Sequence, residues 1–110
     1  MNNNVIVEIS VVPLGTGGTS LSRYIAECVS VLETSRCRYQ LTPMGTIVEG
    51  PLDRVLELIK LMHEVPFKKG VSRVVTSIRI DDQRDGKASM KKKVESVLKV
   101  NPGIKAAKQE

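Results

Sequence analysis

Aromatic residues are few in this sequence: it has no tryptophan, two tyrosines and one phenylalanine among 110 residues. Proteins that bind single-stranded nucleic acid stack bases on aromatic side chains, and this chain lacks such a platform. The net charge of +5 does not argue otherwise, because residues 1–86 contain ten basic and ten acidic residues. The excess lies in residues 87–110, with seven lysines and two glutamates, and we interpret it as the solvated face of a terminal helix. No nucleic-acid partner is expected.

Histidine and cysteine are also scarce. The one histidine is His63, and the two cysteines, Cys28 and Cys37, form no CxxC motif. A structural zinc site therefore lacks ligands, and two cysteines cannot build a disulfide framework. Cys28 falls on the apolar stripe of a predicted helix, so we expect it to be buried and inert. We expect no metal site and no cofactor.

Long apolar runs are missing as well. Apolar residues make up 41% of the chain, but no run approaches the roughly 20 residues that a membrane span requires. The start, MNNNVIVEIS, has no basic segment followed by an apolar stretch of the kind found in secretory signals. The expected compartment is the cytoplasm, with no membrane partner.

What the sequence does contain is clear periodicity. Residues Val5 to Val12 alternate in the manner of a strand with one strongly apolar face, and Pro13 ends it. After a glycine-rich stretch, Thr19 or Ser20 is placed to cap a helix. Its apolar residues recur at helical spacing: Leu21, Tyr24, Ile25, Cys28, Val29 and Leu32.

The middle of the chain predicts a hairpin followed by a second helix. Two short β-compatible runs, Tyr39 to Thr42 and Thr46 to Glu49, flank the turn residues Pro43-Met44-Gly45. The second helix opens at Pro51, where a missing N–H costs no hydrogen bond, and ends at Gly70 at the latest.

A proline inside the second helix and two further elements complete the pattern. Pro66 is expected to kink or shorten that helix. Ser72 to Asp81 alternates β-branched residues and predicts a fourth strand. A third helix is capped near Ser89 and ends at Asn101-Pro102-Gly103.

This order of elements predicts an α+β fold, the ferredoxin-like βαββαβ sandwich, with an additional C-terminal helix. At this length we expect one domain over residues 1–100 and a flexible basic tail over 101–110. Both crossing helices cover one face of the sheet. Simple alternation assigns these residues to the other face: Ile6, Glu8, Ser10, Val12, Gln40, Thr42, Thr46, Val48, Val75, Ser77 and Arg79.

The apolar members of this open face form a larger patch than a small monomer usually exposes. A partner or ligand is therefore expected to cover it, and we expect a homodimer or a dimer of dimers.

Catalytic groups are not evident. Acylphosphatase-like enzymes share this fold and size, but they need an arginine in the loop after the first strand, and the loop here has none. The Gly15-Thr16-Gly17-Gly18 cluster lacks the spacing of phosphate-binding loops and is interpreted as a turn. His63 lies at the edge of a helix stripe, as packed histidines do. We expect a protein that is not an enzyme.

Two carboxylates, Glu8 and Glu49, lie on strands that are expected to be buried, and buried charges generally have partners. Arg79 or Arg73 is one candidate partner, and a ligand cation is the other. The residue pattern leaves both open.

Short hydroxyls lie near these carboxylates in the predicted sheet. Ser10, Thr42 and Thr46 can each donate and accept a hydrogen bond, and Met44 at the hairpin tip offers an adaptable apolar surface. This set suits a flat, nitrogen-rich ring, although it names no particular ligand.

The hairpin and the segments after it carry a family resemblance. The motifs are Pro43-Met44-Gly45-Thr46, Ile47-Val48-Glu49-Gly50-Pro51, His63-Glu64, Gly70, Arg73-Val74 and Ile78-Arg79-Ile80-Asp81. In this order they resemble the family of small thiamine-binding proteins, over about Val5 to Val100. Pro66 departs from the family pattern.

The resemblance implies a subunit that assembles into dimers or tetramers through its sheets and binds thiamine or a related pyrimidine or thiazolium compound without catalysis. Carried onto this sequence, the family pattern implies pocket walls formed by Ser10, Thr42, Met44, Thr46 and Glu49. Either Glu49 or Glu8 would then face the thiazolium cation. The alternative hypothesis is a structural or regulatory homo-oligomer that binds no small molecule.

Overall fold

The computed structural model describes residues 4–17, 21–85 and 89–104. Within these ranges the chain alternates strands and helices in the predicted order. The elements are β1 (Asn4–Leu14), α1 (Ser22–Glu33), β2 (Arg38–Thr42), β3 (Gly45–Pro51), α2 (Leu52–Lys68), β4 (Arg73–Asp81) and α3 (Met90–Val100). The predicted cap at Thr19 or Ser20, the end of the turn before α3 and tail residues 105–110 lie outside the described ranges.

The four strands form one antiparallel sheet in the order β2-β3-β1-β4. The most apolar strand, β1, lies between β3 and β4, and its residues Val5, Val7 and Ile9 are buried. The fold is the ferredoxin-like fold that the sequence predicts, with α3 added after β4.

The hydrophobic core lies between the sheet and helices α1 and α2. Cys28 and Leu32 of α1 and four residues of α2 pack on β1 and on Val48 of β3. Each fully buried aliphatic side chain contributes about 1.5–3 kcal/mol relative to exposure, so this layer dominates the stability of the domain. The buried α2 residues in this cluster are Val55, Leu58, Ile59 and Met62.

One prediction about the hairpin is wrong: Thr46 and Val48 do not lie on the open face. In the β1–β3 register Thr46 is opposite Ile9 and Val48 is opposite Val7, and directly opposed residues share a face of the sheet. Both are therefore buried on the helix side. Ile47 and Glu49 lie on the open face instead. An error of one residue in the assumed alternation moves every side chain of a strand to the opposite face of the sheet.

Pro66 lies inside α2 without ending it, since the helix continues to Lys68. Gly70, in the left-handed conformation with φ of 91°, then turns the chain, in agreement with the predicted stop. The predicted cap of α3 is also confirmed, because the Ser89 hydroxyl accepts a hydrogen bond from the Lys92 amide at 3.0 Å.

Candidate functional site

A pocket of about 200 Å³ opens between the first half of α1, the end of β1 and the tip of the β2–β3 hairpin. Ile25 and Cys28 of α1 line it together with Leu21, which directly precedes α1, and Met62 closes it from α2. Most of the remaining lining is apolar. Among the described residues, no side chain of Asp, Glu, Lys or Arg lines this pocket.

Four of the five predicted site residues meet in this pocket: Ser10, Thr42, Met44 and Thr46. They come from β1 and from both sides of the hairpin turn, so the antiparallel pairing of the sheet brings them together. Glu49 is not among the lining residues. Whether the four residues contact a ligand stays a prediction.

The Thr46 hydroxyl is one polar side-chain group of the pocket that is available to a ligand. Thr46 is 5% exposed, and within the described part of the chain no group forms a hydrogen bond with its Oγ1. The one buried side-chain polar atom without a partner in these ranges is Asn4 Oδ1, so the Thr46 oxygen keeps contact with the space of the pocket. Thr46 is therefore ready to bind a polar atom that enters the pocket.

The Thr42 hydroxyl, by contrast, is already occupied by the hairpin turn. Its Oγ1 donates to the carbonyl of Gly45 at 2.8 Å and accepts from the amide of Met44 at 3.3 Å. These bonds hold the turn in shape and leave the Met44 side chain 82% exposed at the rim. Thr42 shapes the pocket, and Met44 can fold over whatever occupies it.

The main chain of β1 supplies polar groups that the sequence analysis missed. β3 pairs with β1 from Asn4 to Ile9 and no further, whereas β4 pairs with it as far as Leu14. Over Ser10 to Val12, no strand of the described residues faces the hairpin side of β1, and these residues line the pocket. Such an edge offers alternating N–H and C=O groups. A difference in length between neighbouring strands is the signal that could have revealed it.

Cys28 is a part of the pocket wall and is unreactive. Its thiol donates a hydrogen bond to the carbonyl of Met62 at 3.4 Å. Burial, with a smaller contribution from the negative charge of Glu27, raises the pKa of Cys28 to about 11. The thiolate, which is the nucleophilic form, is therefore rare at neutral pH.

Both predicted carboxylates have partners within the protein. Glu8 lies 3.6 Å from Arg79 on the open face, so the arginine alternative is confirmed for this residue. Glu49, which is 9% exposed, accepts a hydrogen bond from the Met90 amide at 3.1 Å. An anion at the first turn of a helix is stabilised by the helix dipole, so Glu49 anchors α3 to β3.

His63 packs between α2 and β4, as the sequence predicts. Its Nδ1 lies 2.7 Å from Thr76 Oγ1, and its ring meets the Phe67 ring edge-on with centroids 5.4 Å apart. The imidazole does not line the pocket. Across residues 4–17, 21–85 and 89–104, no group of three His, Cys, Asp or Glu side chains is arranged to hold a metal ion.

A membrane-spanning helix is not found in the described part of the chain, because none of its helices is both long and apolar enough.

Comparison with known proteins places this geometry in a family. Two curated relatives are UPF0045 proteins: one from Staphylococcus xylosus, 48% identical over 86% of this chain and 92% of that protein, and YqgV of Bacillus subtilis, 44% identical over 86% and 94%. The crystal structure of a hypothetical protein from Methanocaldococcus jannaschii matches with a TM-score of 0.79 at 32% identity, over 86% of this chain and 96% of that one. The family model described as thiamine-binding protein matches residues 7–98. The chain belongs to the thiamine-binding protein family.

Proposed function

We propose that this protein binds thiamine or a related pyrimidine, without catalysing a reaction, in the pocket between α1 and the hairpin. The family description supports the ligand class. The observation that carries the proposal is the Thr46 hydroxyl, for which no hydrogen bond is seen within the described residues, in the wall of a pocket large enough for one ring.

The volume of the pocket sets what it can enclose. An apolar cavity of about 150 Å³ accommodates benzene. A pocket of about 200 Å³ therefore fits one substituted six-membered ring, and two rings with a diphosphate exceed it. In our proposal the aminopyrimidine ring is enclosed, while the rest of thiamine extends past Met44 into solvent.

The polarity of the pocket supports the same orientation. The aminopyrimidine is uncharged at neutral pH and presents an amino donor beside ring-nitrogen acceptors. The main chain of Ser10 to Val12, with which no described strand pairs on the hairpin side, and the Thr46 hydroxyl offer complementary donors and acceptors. The thiazolium is permanently cationic. Inside the pocket it would lose its hydration without gaining a carboxylate partner, because no described carboxylate lines the wall. Glu49 is therefore not needed for the cation in this proposal.

Binding without catalysis is proposed because the pocket offers no acid or base for proton transfer at neutral pH. Among the described lining residues Cys28 has the one side chain that can lose a proton in water, and its raised pKa keeps the thiol protonated at neutral pH.

Isothermal titration of ligand-stripped protein with four compounds tests the proposal. The aminopyrimidine fragment and thiamine are expected to bind, the thiazole fragment is expected not to bind, and a diphosphate group is expected to change the affinity of thiamine by less than about threefold. Absence of heat and of thermal stabilisation with all four compounds would refute the proposal. If the assembled mass persisted in that case, the alternative of a ligand-free homo-oligomer would be favoured.

A matched pair of variants locates the site. Thr46→Val keeps the shape of the side chain and removes its hydroxyl, so affinity is expected to fall about tenfold for one lost hydrogen bond. Thr34→Val, on the exposed end of α1, is the control and is expected to leave affinity unchanged. Equal affinities of the two variants would exclude Thr46 from the site.

A further inference from the structure

The main-chain groups of β1 point alternately to its two neighbouring strands, and one close contact fixes which residues point to which. A Cβ on Gly45 of β3 would lie 2.8 Å from the carbonyl oxygen of Ile9, so that carbonyl points towards the hairpin. In a strand the N–H and C=O of one residue point to the same side, and those of the next residue point to the other side. Val11 therefore directs both groups to the hairpin side, whereas Ser10 and Val12 direct theirs to β4, with which they pair.

The position of Pro13 agrees with this assignment. Pro13 lies inside β1 and is opposite Val74 of β4. Proline has no N–H, and within a sheet it occurs where the missing donor faces no partner strand. By the same alternation the nitrogen of Pro13 faces the hairpin side, so the ladder between β1 and β4 loses no hydrogen bond.

Val11 is therefore the one residue of the described segment Ser10 to Leu14 that presents an N–H to the hairpin side. Its own C=O is the acceptor beside that donor. β3 pairs with β1 only as far as Ile9, and within the described residues no main-chain hydrogen bond from Val11 to the hairpin is seen. Because Val11 lines the pocket, both of its main-chain groups are available to a ligand there.

We propose that the main chain of Val11 selects the ligand by a pair of hydrogen bonds. Its N–H donates to a ring nitrogen, and its C=O accepts from an amino group on the adjacent ring carbon. A strand residue exchanges the same two bonds with the residue opposite it, and an amino group beside a ring nitrogen offers the matching donor and acceptor. The substrate class is then a six-membered ring with this edge. The inference rests on the proposed function of the pocket and names the group that determines its specificity.

The rest of the pocket supports a ring bound edge-on to β1. Ile25 and Cys28 of α1 and Met62 of α2 form apolar wall on the helix side of the sheet. A flat ring that continues the sheet beyond the end of β3 presents one face to this wall, where apolar contact is favourable. The Cys28 thiol and the Thr42 hydroxyl donate their protons to carbonyl groups of the protein, so neither competes with Val11 for the edge of the ring.

This arrangement discriminates an amino group from a carbonyl group on the ring. In the oxo analogue a carbonyl replaces the amino group, and the adjacent ring nitrogen carries a proton. Both groups of Val11 would then meet their own kind, N–H against N–H and C=O against C=O. A site built to hydrogen-bond one ligand rejects a ligand that leaves its buried polar groups unpaired.

Isothermal titration with thiamine and with oxythiamine, its oxo analogue, tests this selection. Thiamine is expected to bind at least about a hundredfold more tightly than oxythiamine. Equal affinities would overturn the inference and leave the proposed function standing. Absence of binding by both compounds would overturn the proposed function, and the inference with it.

Hydrogen exchange of single amides, followed by NMR, tests the geometry independently of affinity. In the ligand-free protein the Val11 amide is expected to exchange at least about tenfold faster than the amides of Ser10 and Val12, which belong to the ladder with β4. Saturating thiamine is expected to slow the Val11 amide. A Val11 amide as protected as its neighbours without ligand, or one whose exchange thiamine leaves unchanged, would overturn the inference.

A pair of variants at position 11 tests the donor itself. Val11→Pro removes the N–H that faces the pocket, and Val11→Ala is the matched control, because it removes the same methyl groups and keeps the N–H. An extended residue before a proline is compatible with the strand. Thiamine is expected to bind Val11→Pro about tenfold more weakly than Val11→Ala, for one lost hydrogen bond. Equal affinities of two variants that circular dichroism shows to be folded would overturn the inference, and if Val11→Pro does not fold, the titration and the amide exchange decide.

Discussion

The thiol of Cys28 on α1 donates a hydrogen bond to the main-chain carbonyl of Met62 on α2, at 3.4 Å. In a regular helix that carbonyl would accept from the amide four residues later, but position 66 is a proline and has no N–H. The cysteine replaces the missing donor from a neighbouring helix. The bond joins the two helices beside the pocket that both of them line.

A double-mutant cycle measures this replacement. Cys28→Val removes the donor at similar size and is expected to destabilise the protein by about 1–3 kcal/mol, because the buried carbonyl loses its partner. In a Pro66→Ala background the amide at position 66 serves the carbonyl, so the same change should cost about 1 kcal/mol less. Urea denaturation of the four proteins gives the coupling.

The matched control for this cycle is Cys37→Ala, since Cys37 is half-buried and lies outside α2. Its effect is expected to be the same with and without Pro66. A Cys28 cycle with no coupling would show that the bond contributes nothing to stability.

The raised pKa of Cys28 predicts a loss of stability in alkali. The thiol pKa is raised by burial, and less by Glu27, from 9.0 to about 11, so the folded state holds the proton more tightly than the unfolded state. The resulting stabilisation is complete below pH 9 and is lost as the pH rises through 11. Two pKa units correspond to about 2–3 kcal/mol.

Unfolding free energies of the unsubstituted chain and of Cys28→Val between pH 8 and about pH 11 measure this contribution, because the titration of other groups is common to both. The difference between the two proteins is expected to shrink with rising pH. A constant difference would contradict the burial of the thiol.

Glu49 is predicted to hold α3 rather than the ligand. Glu49→Ala removes the acceptor of the Met90 amide, and faster hydrogen exchange is expected at residues 90–93, with a loss of about 1 kcal/mol for the lost cap. Affinity in the pocket should not change, since Glu49 does not line it. Glu57→Ala on exposed α2 surface is the control for exchange in α3. A loss of affinity on Glu49→Ala would return this carboxylate to the binding site.

Gly45 is predicted to tolerate no side chain. A Cβ on Gly45 would lie 2.8 Å from the carbonyl oxygen of Ile9, closer than real contacts allow. Gly45→Ala must therefore push the hairpin away from β1, and we expect at least about 2 kcal/mol of destabilisation together with weaker ligand binding. Gly103→Ala, after α3, is expected to leave both unchanged. Thermal denaturation followed by titration checks the pair, and wild-type behaviour of Gly45→Ala would refute the close approach.

The position of Glu49 marks the limit of reasoning from local pattern. Its place on a strand, its burial and its need for a partner are all predictable from the alternation around it. Its partner is the amide of Met90, 41 residues later, and pairing over such a distance leaves no local signature. The partner of Glu8 is predictable from the sequence, because Arg79 lies on β4 and the antiparallel pairing of β4 with β1 follows from the fold.

The sequence by itself determined the elements, their order and hence the ferredoxin-like fold, since strand alternation, helical spacing and capping residues act over a few neighbouring residues. It also pointed to the hydroxyl and methionine residues around the hairpin as a candidate site, and their contact with a ligand stays a prediction. Only the tertiary structure decided the face on which Thr46 lies, and that no described strand pairs with Ser10 to Val12 on the hairpin side of β1. Both depend on strand register, which is set by the packing of the whole sheet against α1 and α2 rather than by any one segment.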